Sequence, residues 1–311
     1  MKAIVLKGPG GTDQLEYREL DIPAIQPGEV LVKVKAISIN PVDIKVREGH
    51  GVYAALKSAN PLILGWDISG VVTESKSELY KAGDEVFGMV NFPGHGKAYA
   101  EYVAAPAEHL ALKPANISFE EAAAATLVAL TAWQALVTYG KVQKGQKVLI
   151  HAAAGGVGHI AVQIAKHLGA TVTGTSSQAN KAFVLSIGAD YHIDYKGYNW
   201  MAQQPEYDFV LDTVGGDNIH NSIAVAQNGG TVISIPTGLH EDVTSKAKER
   251  NIHAQFMLVK SNGAEMQQIA ALLTQGILKP HVSQTFSFDQ MKEAHLQIAT
   301  GKTIGKILVK P

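Results

Sequence analysis

The sequence predicts an α/β chain of two parts: a mainly β domain, and a domain built on a parallel sheet with helices on both faces. Two patterns and one motif predict it. Up to about residue 111, short runs with alternating apolar residues are separated by Pro-Gly, Gly-Gly and Ala-Gly-Asp punctuation. From Lys147 onward apolar strands alternate with helical spacing, the pattern of a parallel sheet. At the junction Lys147-Val-Leu-Ile-His-Ala-Ala-Ala-Gly-Gly-Val-Gly158 runs an apolar strand straight into a glycine-rich turn that opens a helix.

That motif carries the first functional expectation. Val148 to Ile150 read as a buried strand, Gly155, Gly156 and Gly158 place no Cβ in the way of a close ligand, and helical spacing resumes through Ile160, Ile164, Ala165 and Leu168. The free N–H groups and the positive end of the helix dipole then point at the turn, which is what holding a pyrophosphate requires. A second strand ending at Ser176 completes a βαβ unit of the expected size, so the stretch reads as a dinucleotide site.

Composition sets the bounds. A chain of 311 residues suffices for about two domains. An apolar fraction of 46% with 18% charged residues excludes disorder, and no apolar run approaches the ~18 residues of a membrane span. Residues 1–7 read as a strand rather than a signal peptide, so a cytoplasmic location is expected. With zero cysteines, disulfides, thiolate nucleophiles and Cys-ligated zinc or iron–sulfur sites are excluded. The formal net charge of -1 offers no general attraction to nucleic acid or anionic membrane, and neither is expected as a partner.

In order, strands are predicted over residues 3–7, 15–19, 30–39, 68–74, 85–90 and 99–104, with 30–39 alternating as if one face were wet. Ser118 and Glu121 form a capping box that opens an alanine-rich helical region, and the helix through Thr131 runs to Gly140 as C-cap. Strands follow over 147–152, 170–176, 191–194, 208–212, 231–235 and 252–259. An amphipathic helix over 263–278, strands over 285–288 and 305–309, and a last helix between them are expected to return to the first domain. The expected domains are thus 1–121, 122–262 and, as the return segment, 263–311.

The chain resembles the medium-chain dehydrogenase/reductase superfamily, and within it the zinc-independent quinone oxidoreductase branch that includes zeta-crystallin. The resemblance runs the whole length and rests on Asn40-Pro-Val-Asp43, Gly65-Trp-Asp-Ile-Ser-Gly-Val-Val72, Gly83-Asp-Glu-Val-Phe-Gly88 and Leu130-Thr-Ala-Trp-Gln-Ala-Leu136. The glycine turn, Gly188-Ala-Asp190 and Gly305-Lys-Ile-Leu-Val309 complete it. It implies a GroES-like mainly β domain and a Rossmann doubly wound parallel sheet. Ala153 stands where the usual fingerprint has its first glycine. Where zinc-dependent relatives carry Gly-His-Glu this chain has Gly65-Trp66-Asp67, and it lacks the cysteines of the second zinc lobe, so the resemblance implies no metal.

At the end of the second strand, Thr175-Ser-Ser-Gln-Ala-Asn-Lys181 holds no carboxylate for a ribose 2′-OH, and Ser176, Ser177 and Lys181 suit a 2′-phosphate. NADPH is therefore the expected cofactor. Ser-Ser-Gln also fits the N-cap of the next helix, which is compatible with either nicotinamide cofactor. By resemblance Gly155, Gly156, Val157 and Gly158 take the pyrophosphate, and Asn180 joins Lys181 near the phosphate. By the same route Asn40, Thr131, Tyr195, Thr213, Val214, Ile235, Pro236 and Met257 line the cofactor, while Asp212 serves equally as a brace for its turn and Met257 equally as core.

On the acceptor side the resemblance offers Asn40, Asp43, Arg47, Tyr53 and Trp66. Tyr53 is a candidate proton donor. Asp43 and Arg47 stand at i, i+4 and are alternatively a helical ion pair, and the Trp66 ring is expected to fill the volume of the missing zinc ligand. The histidines do not cluster, and His151 is expected to be a satisfied core imidazole. The function implied is hydride transfer from NADPH to a quinone or an α,β-unsaturated carbonyl acceptor by a homodimer joined at the strand over 252–259. The alternatives are a non-catalytic NADPH-binding protein of the crystallin or RNA-binding kind and, disfavoured, a zinc-type alcohol dehydrogenase.

Overall fold

The computed structural model describes all 311 residues, and the chain divides into two units, Met1–Leu130 with Lys260–Pro311 and Thr131–Val259. The first segment forms strands β1 (Lys2–Leu6), β2 (Leu15–Glu19) and β3 (Glu29–Ile39), then helices α1 (Pro41–Arg47) and α2 (Tyr53–Leu56). Strands β4 (Asp67–Ser75), β5 (Glu85–Met89), β6 (Tyr102–Pro106) and β7 (Leu110–Leu112) follow, and then helix α3 (Phe119–Ala124). Helix α4 (Leu127–Trp133) leads to β8 (Lys147–Ile150), α5 (Gly156–His167), β9 (Thr171–Ser176), α6 (Lys181–Ser186) and β10 (Tyr191–Asp194). After these come β11 (Tyr207–Asp212), α7 (Asn218–Val225), β12 (Ala226–Ser234), α8 (Glu241–Glu249) and β13 (His253–Phe256). The return segment carries α9 (Gly263–Thr274), β14 (Val282–Ser287), α10 (Met291–Ala299) and β15 (Lys306–Lys310).

In the first unit β3 is the organising strand. It pairs antiparallel with β4, β6 and β15, and the sheet runs β14-β15-β3-β4-β5-β7. The alternation expected of β3 survives only at the exposed Lys33 and Lys35; its other side chains are buried except Glu29, which is half-buried. The reason is its central place: Ala36 packs in one buried cluster with Ala123 and Ala124 of α3 and Leu308 of β15. Helix α3 begins with the expected capping box, Ser118 Oγ accepting from the Glu121 amide at 3.1 Å and Glu121 Oε2 accepting from the Ser118 amide at 2.8 Å. Because its alanines face the first unit's strands, the start of the helical region sits with the first unit, and the division between units falls further on, after Leu130.

The second unit is a six-stranded sheet ordered β10-β9-β8-β11-β12-β13, every pair parallel. The order reverses between β8 and β11, the switch point at whose carboxyl ends such sheets bind ligands. Val148, Leu149 and Ile150 are fully buried, as a central parallel strand requires. The strand expected over 147–152 stops at Ile150, because Ala152 turns the chain with a φ of 46°. The strand expected over 252–259 is likewise shorter, and Met257 lies just beyond it with its amide on Ser234 O at 2.8 Å.

Gly140 ends its helix for a reason other than the one expected. Residues Gln134–Tyr139 form a π-helical turn, and the Gly140 amide donates to Ala135 O at 2.9 Å, five residues back. Gly140 itself keeps right-handed dihedrals, φ −75° and ψ −27°. What it supplies is space, since a Cβ there would come within 2.4 Å of Ala135 O and of the Phe209 ring.

Gly158 is constrained in the same way. A Cβ would lie 2.2 Å from Ala152 O and 2.7 Å from Ala153 Cα, both backbone, so Gly158→Ala must push α5 off the turn. It is expected to cost about 1–3 kcal/mol in urea unfolding. Gly238→Ala, where nothing lies within 4 Å, is the control, expected within about 0.5 kcal/mol.

Candidate cofactor and acceptor sites

At the switch point the second unit presents backbone rather than side chains. Gly155 is the N-cap of the 12-residue helix α5. The first intrahelical bond runs from the His159 amide to Gly155 O at 3.0 Å, which leaves the amides of Gly156, Val157 and Gly158 without partners inside the helix. Gly155, Gly156 and Val157 are half-exposed, so the Gly156 and Val157 donors are reachable, while Gly158 is buried. Open N–H groups, a positive helix end and no obstructing side chains fit a pyrophosphate.

The neighbouring loops are braced by Asp212 at the end of β11. Its Oδ1 accepts from the amides of Val214 at 2.9 Å and Gly215 at 2.8 Å, and its Oδ2 accepts from Asn218 at 3.1 Å and Ser222 at 2.8 Å. With four donors on it, Asp212 is the brace of its turn. Thr213 Oγ1 donates to His151 O at 2.6 Å, Val214 is exposed, and Ile235 and Pro236 are half-buried at the end of β12. Met257 is buried, Tyr195 is exposed just past β10, and Thr131 is buried at the head of the second unit.

The expectation that His151 is a satisfied core imidazole needs correction. It lies one residue beyond β8 and is buried, with Nδ1 3.4 Å from Thr175 Oγ1 and its ring against Trp200, but Nε2 has no partner. Burial pushes its pKa down to about 4, so the ring is neutral and the unpaired nitrogen is not a buried charge.

At the end of β9, Ser176 is buried, Ser177 and Asn180 are half-buried and Lys181 is exposed. No carboxylate of the segment 175–181 competes for an anion there. Hydroxyls, an amide and an ammonium at one strand end suit the 2′-phosphate of NADPH.

In the first unit the acceptor-side candidates are bound into one buried polar network. Asn40 donates through Nδ2 to Asp67 Oδ2 at 2.7 Å, and its Oδ1 accepts from the Lys306 ammonium. Lys306 Nζ also donates to Ile39 O at 2.7 Å. Asp67 Oδ1 takes the Leu127 amide at 3.0 Å, and Asp43 Oδ2 takes the Asn40 amide at 2.7 Å.

A second chain runs alongside. Arg47 Nη1 lies 3.3 Å from His295 Nδ1, and His295 Nε2 lies 2.9 Å from the Tyr99 hydroxyl. Arginine has only donors to offer, so Nδ1 accepts and Nε2–H donates to Tyr99, whose own proton is left for Asp43 Oδ1. Asp43 Oδ1 has no partner at ordinary hydrogen-bond distance, and Tyr99 is the hydroxyl that interacts with it.

Burial dominates the electrostatics. It raises Asp43 to about 7, against the Asn40 amide and Lys306 and with the help of Asp67. It raises Asp67 against Lys306 and Asn40, lowers Lys306 to about 8 against both carboxylates, and lowers His295 to about 3 with Arg47 adding to the effect.

Asp43 and Arg47 do not form the helical ion pair that was the alternative reading. Asp43 is the N3 residue of the α1 capping box, while Arg47 turns to Gly10 O at 3.0 Å, His295 and Glu48. Trp66 is 1% exposed, donates to Gly94 O at 2.6 Å and meets Phe92 edge to face, so its ring is packing beneath the 91–96 turn. Tyr53, half-exposed at the start of α2, is the acceptor-side candidate most open to solvent. No three of the chain's histidine and acidic side chains are grouped to hold a metal ion.

Known proteins share this architecture. Residues 26–115 match the alcohol dehydrogenase GroES-like domain family, and residues 187–309 match the zinc-binding dehydrogenase family. The chain is 34% identical to the 2-methylene-furan-3-one reductase of Solanum lycopersicum, over 100% of this chain and 79% of that protein. The chain belongs to the medium-chain dehydrogenase/reductase superfamily. It is also 34% identical to the chloroplastic NADPH-dependent alkenal/one oxidoreductase of Arabidopsis thaliana, covering 100% of this chain and 80% of that protein. The solved structure of the quinone oxidoreductase from Coxiella burnetii matches at a TM-score of 0.93 and 37% identity, covering 100% of this chain and 99% of that one. The first unit is thus the GroES-like domain and the second the Rossmann domain.

Sequence reasoning missed four members of this superfamily member's buried network: Asp67, Tyr99, His295 and Lys306. Asp67 and Lys306 stood inside motifs that were read for identity rather than chemistry; Tyr99 and His295 carried no local signal at all. Their effect is measurable through Asp43. A carboxyl raised to about 7 stabilises the fold most when protonated, so its contribution is present below about pH 4 and is lost as the pH rises through 7. Asp43→Asn keeps an acceptor for the Asn40 amide and removes that loss. Relative to wild type it is expected to gain on the order of 2–3 kcal/mol in urea unfolding between pH 5 and pH 8; a constant difference across that range would refute the raised pKa.

Proposed function

We propose that the chain is an NADPH-dependent oxidoreductase that acts without zinc and delivers hydride to a quinone or an α,β-unsaturated carbonyl compound. One observation carries the reading: the open amides of Gly156, Val157 and Gly158 stand in the same unit as a carboxylate-free strand end with Ser176, Ser177, Asn180 and Lys181. The first set binds the pyrophosphate and the second the 2′-phosphate. Bound NADPH supplies the hydride. The names of the tomato, Arabidopsis and Coxiella relatives support both cofactor and acceptor classes.

The remaining assignments rest on the likeness to the superfamily. Thr213, Val214, Tyr195, Thr131, Ile235, Pro236 and Met257 line the cofactor. Asn40 is fully buried with its amide held at both ends by Asp67 and Lys306, and it fixes the backbone between β3 and α1. Asp43, Arg47 and Trp66 hold α1 and the 91–96 turn in place. Tyr53 donates the hydrogen bond or proton that the reduced acceptor needs. Acceptors of this kind are already electrophilic, so positioning does most of the catalytic work.

The acceptor screen is direct. Purified protein is expected to consume NADPH with a small quinone or an enal at least about tenfold faster than NADH, followed by absorbance of the reduced cofactor. Failure to turn over any member of both acceptor classes would remove the enzyme, and zinc retained by active protein in a metal analysis would remove the zinc-independent reading.

Homodimerisation through the β13 edge belongs to the same proposal. That strand closes the sheet at one side, and Phe256 and Leu258 beside it are 43% and 38% exposed, an edge that pairing would cover. Light scattering is expected to give twice the 33.1 kDa protomer mass, and Phe256→Lys to shift it toward the protomer. The proposed location is the cytoplasm, against the organelle named for the Arabidopsis relative; cell fractionation distinguishes them. No helix is long and apolar enough to cross a membrane.

A further inference from the structure

The strand next to the 2′-phosphate residues carries a histidine that the functional reading leaves unused. His192 lies on β10, pairs in the ladder with Gly174 of β9, and is half-buried. Its Nε2 is 2.8 Å from Ser176 Oγ, while Ser176 Oγ donates to Ser177 O at 3.0 Å. With the hydroxyl proton directed at that carbonyl, the bond from the ring runs the other way: Nε2–H donates and Ser176 Oγ accepts. Opposite His192 the partner strand has Gly174, whose Cβ position is taken up by Val184 and Ala153, and the imidazole reaches past it to Ser176.

One cation and one carboxylate act on the ring, and the carboxylate, Asp194, is the ladder partner of Ser176. Lys181 lies within electrostatic reach at the head of α6, and Asp194 two residues along β10 is the one carboxylate acting on His192. Asp194 Oδ1 accepts from the Lys196 amide at 3.1 Å, in the turn that follows. Burial first and Lys181 second hold His192 below the usual histidine range, with Asp194 opposing them.

We propose that His192 is a positioning residue for NADPH recognition, holding Ser176 Oγ by its Nε2–H so that the hydroxyl proton can swing from Ser177 O to the 2′-phosphate. The swing exchanges a bond to a carbonyl for one to an anion and leaves the bond from His192 intact. The same ring is then one donor removed from the phosphate, with Lys181 on the other side, and NADH has nothing at the 2′ position to collect either contact. This rests on the reading of Ser176 to Lys181 as the 2′-phosphate site, and adds to it a residue from a different strand.

The test uses the adenosine end of the cofactor alone. Calorimetric titration of the full-length protein with 2′,5′-ADP and with 5′-AMP measures the preference for the 2′-phosphate without turnover. Wild type is expected to bind 2′,5′-ADP more tightly than 5′-AMP. In His192→Phe that preference is expected to fall about five- to tenfold, the size of a lost hydrogen bond that supports a charged partner, with 5′-AMP binding unchanged. His192→Gln, which restores an Nε2 donor at similar reach, is expected to recover most of it.

A wild type with no preference would overturn the 2′-phosphate reading and this inference with it. A wild-type preference kept in full by His192→Phe would overturn this inference alone. Equal losses for both ligands, or no recovery in His192→Gln, would reduce His192 to a structural part of the strand.

Discussion

A buried ammonium holds the GroES-like domain together. Lys306 is 2% exposed, and its Nζ bonds Ile39 O and Asn40 Oδ1 within the field of Asp67 and Asp43. Taking such a charge out of water costs several kcal/mol, and it is tolerated only where hydrogen-bond partners and opposite charges converge on it. That convergence fixes the end of β3, the start of α1, the start of β4 and, through Asp67, the Leu127 amide at the start of α4. Asn40 is thereby oriented without ambiguity, since a flipped amide would set its NH2 against the ammonium and its oxygen against a carboxylate.

The Rossmann domain solves its own problem by the opposite means. Its working surface is made of main-chain groups, and its side chains mostly brace them: Asp212 takes four donors, and Thr213 ties the next turn to His151 O. Main-chain donors need no rotamer to be frozen and no buried charge to be neutralised. Their demand falls instead on space, which is why Gly158 and Gly140 sit where a Cβ would meet backbone.

This contrast governs what was legible in the sequence. The glycine turn and the capping box at Ser118 are local, each set by residues close in the chain, and the structure has both; the alternation over 30–39 survives only at Lys33 and Lys35. The carboxylate-free end of β9 was visible for the same reason. The buried network was not, because Arg47 and His295 are 248 positions apart and Asn40 and Lys306 266 apart. Nothing near His295 on α10 marks it as the partner of a tyrosine. Spacing suggested an Asp43–Arg47 pair at i, i+4, but burial favoured a cap for one and distant partners for the other. Of the two strands read too long, the one over 147–152 is ended by a single backbone angle at Ala152, and the one over 252–259 makes its last ladder bond from Met257 to Ser234.

The first unit is built from two separated stretches of sequence, which sets the order in which the protein is made. Residues Thr131–Val259 are contiguous and complete their parallel sheet from their own length, whereas β3 receives β15 only when the final residues of the sequence emerge. A ribosome therefore releases a finished Rossmann domain while Asn40 and Asp67 still lack the Lys306 ammonium and the Ile37–Ile39 end of β3 lacks its β15 partner. Throughout that interval the nascent chain carries a short unpaired strand edge beside a buried carboxamide and carboxylate without their cation, the kind of surface on which misassembly starts.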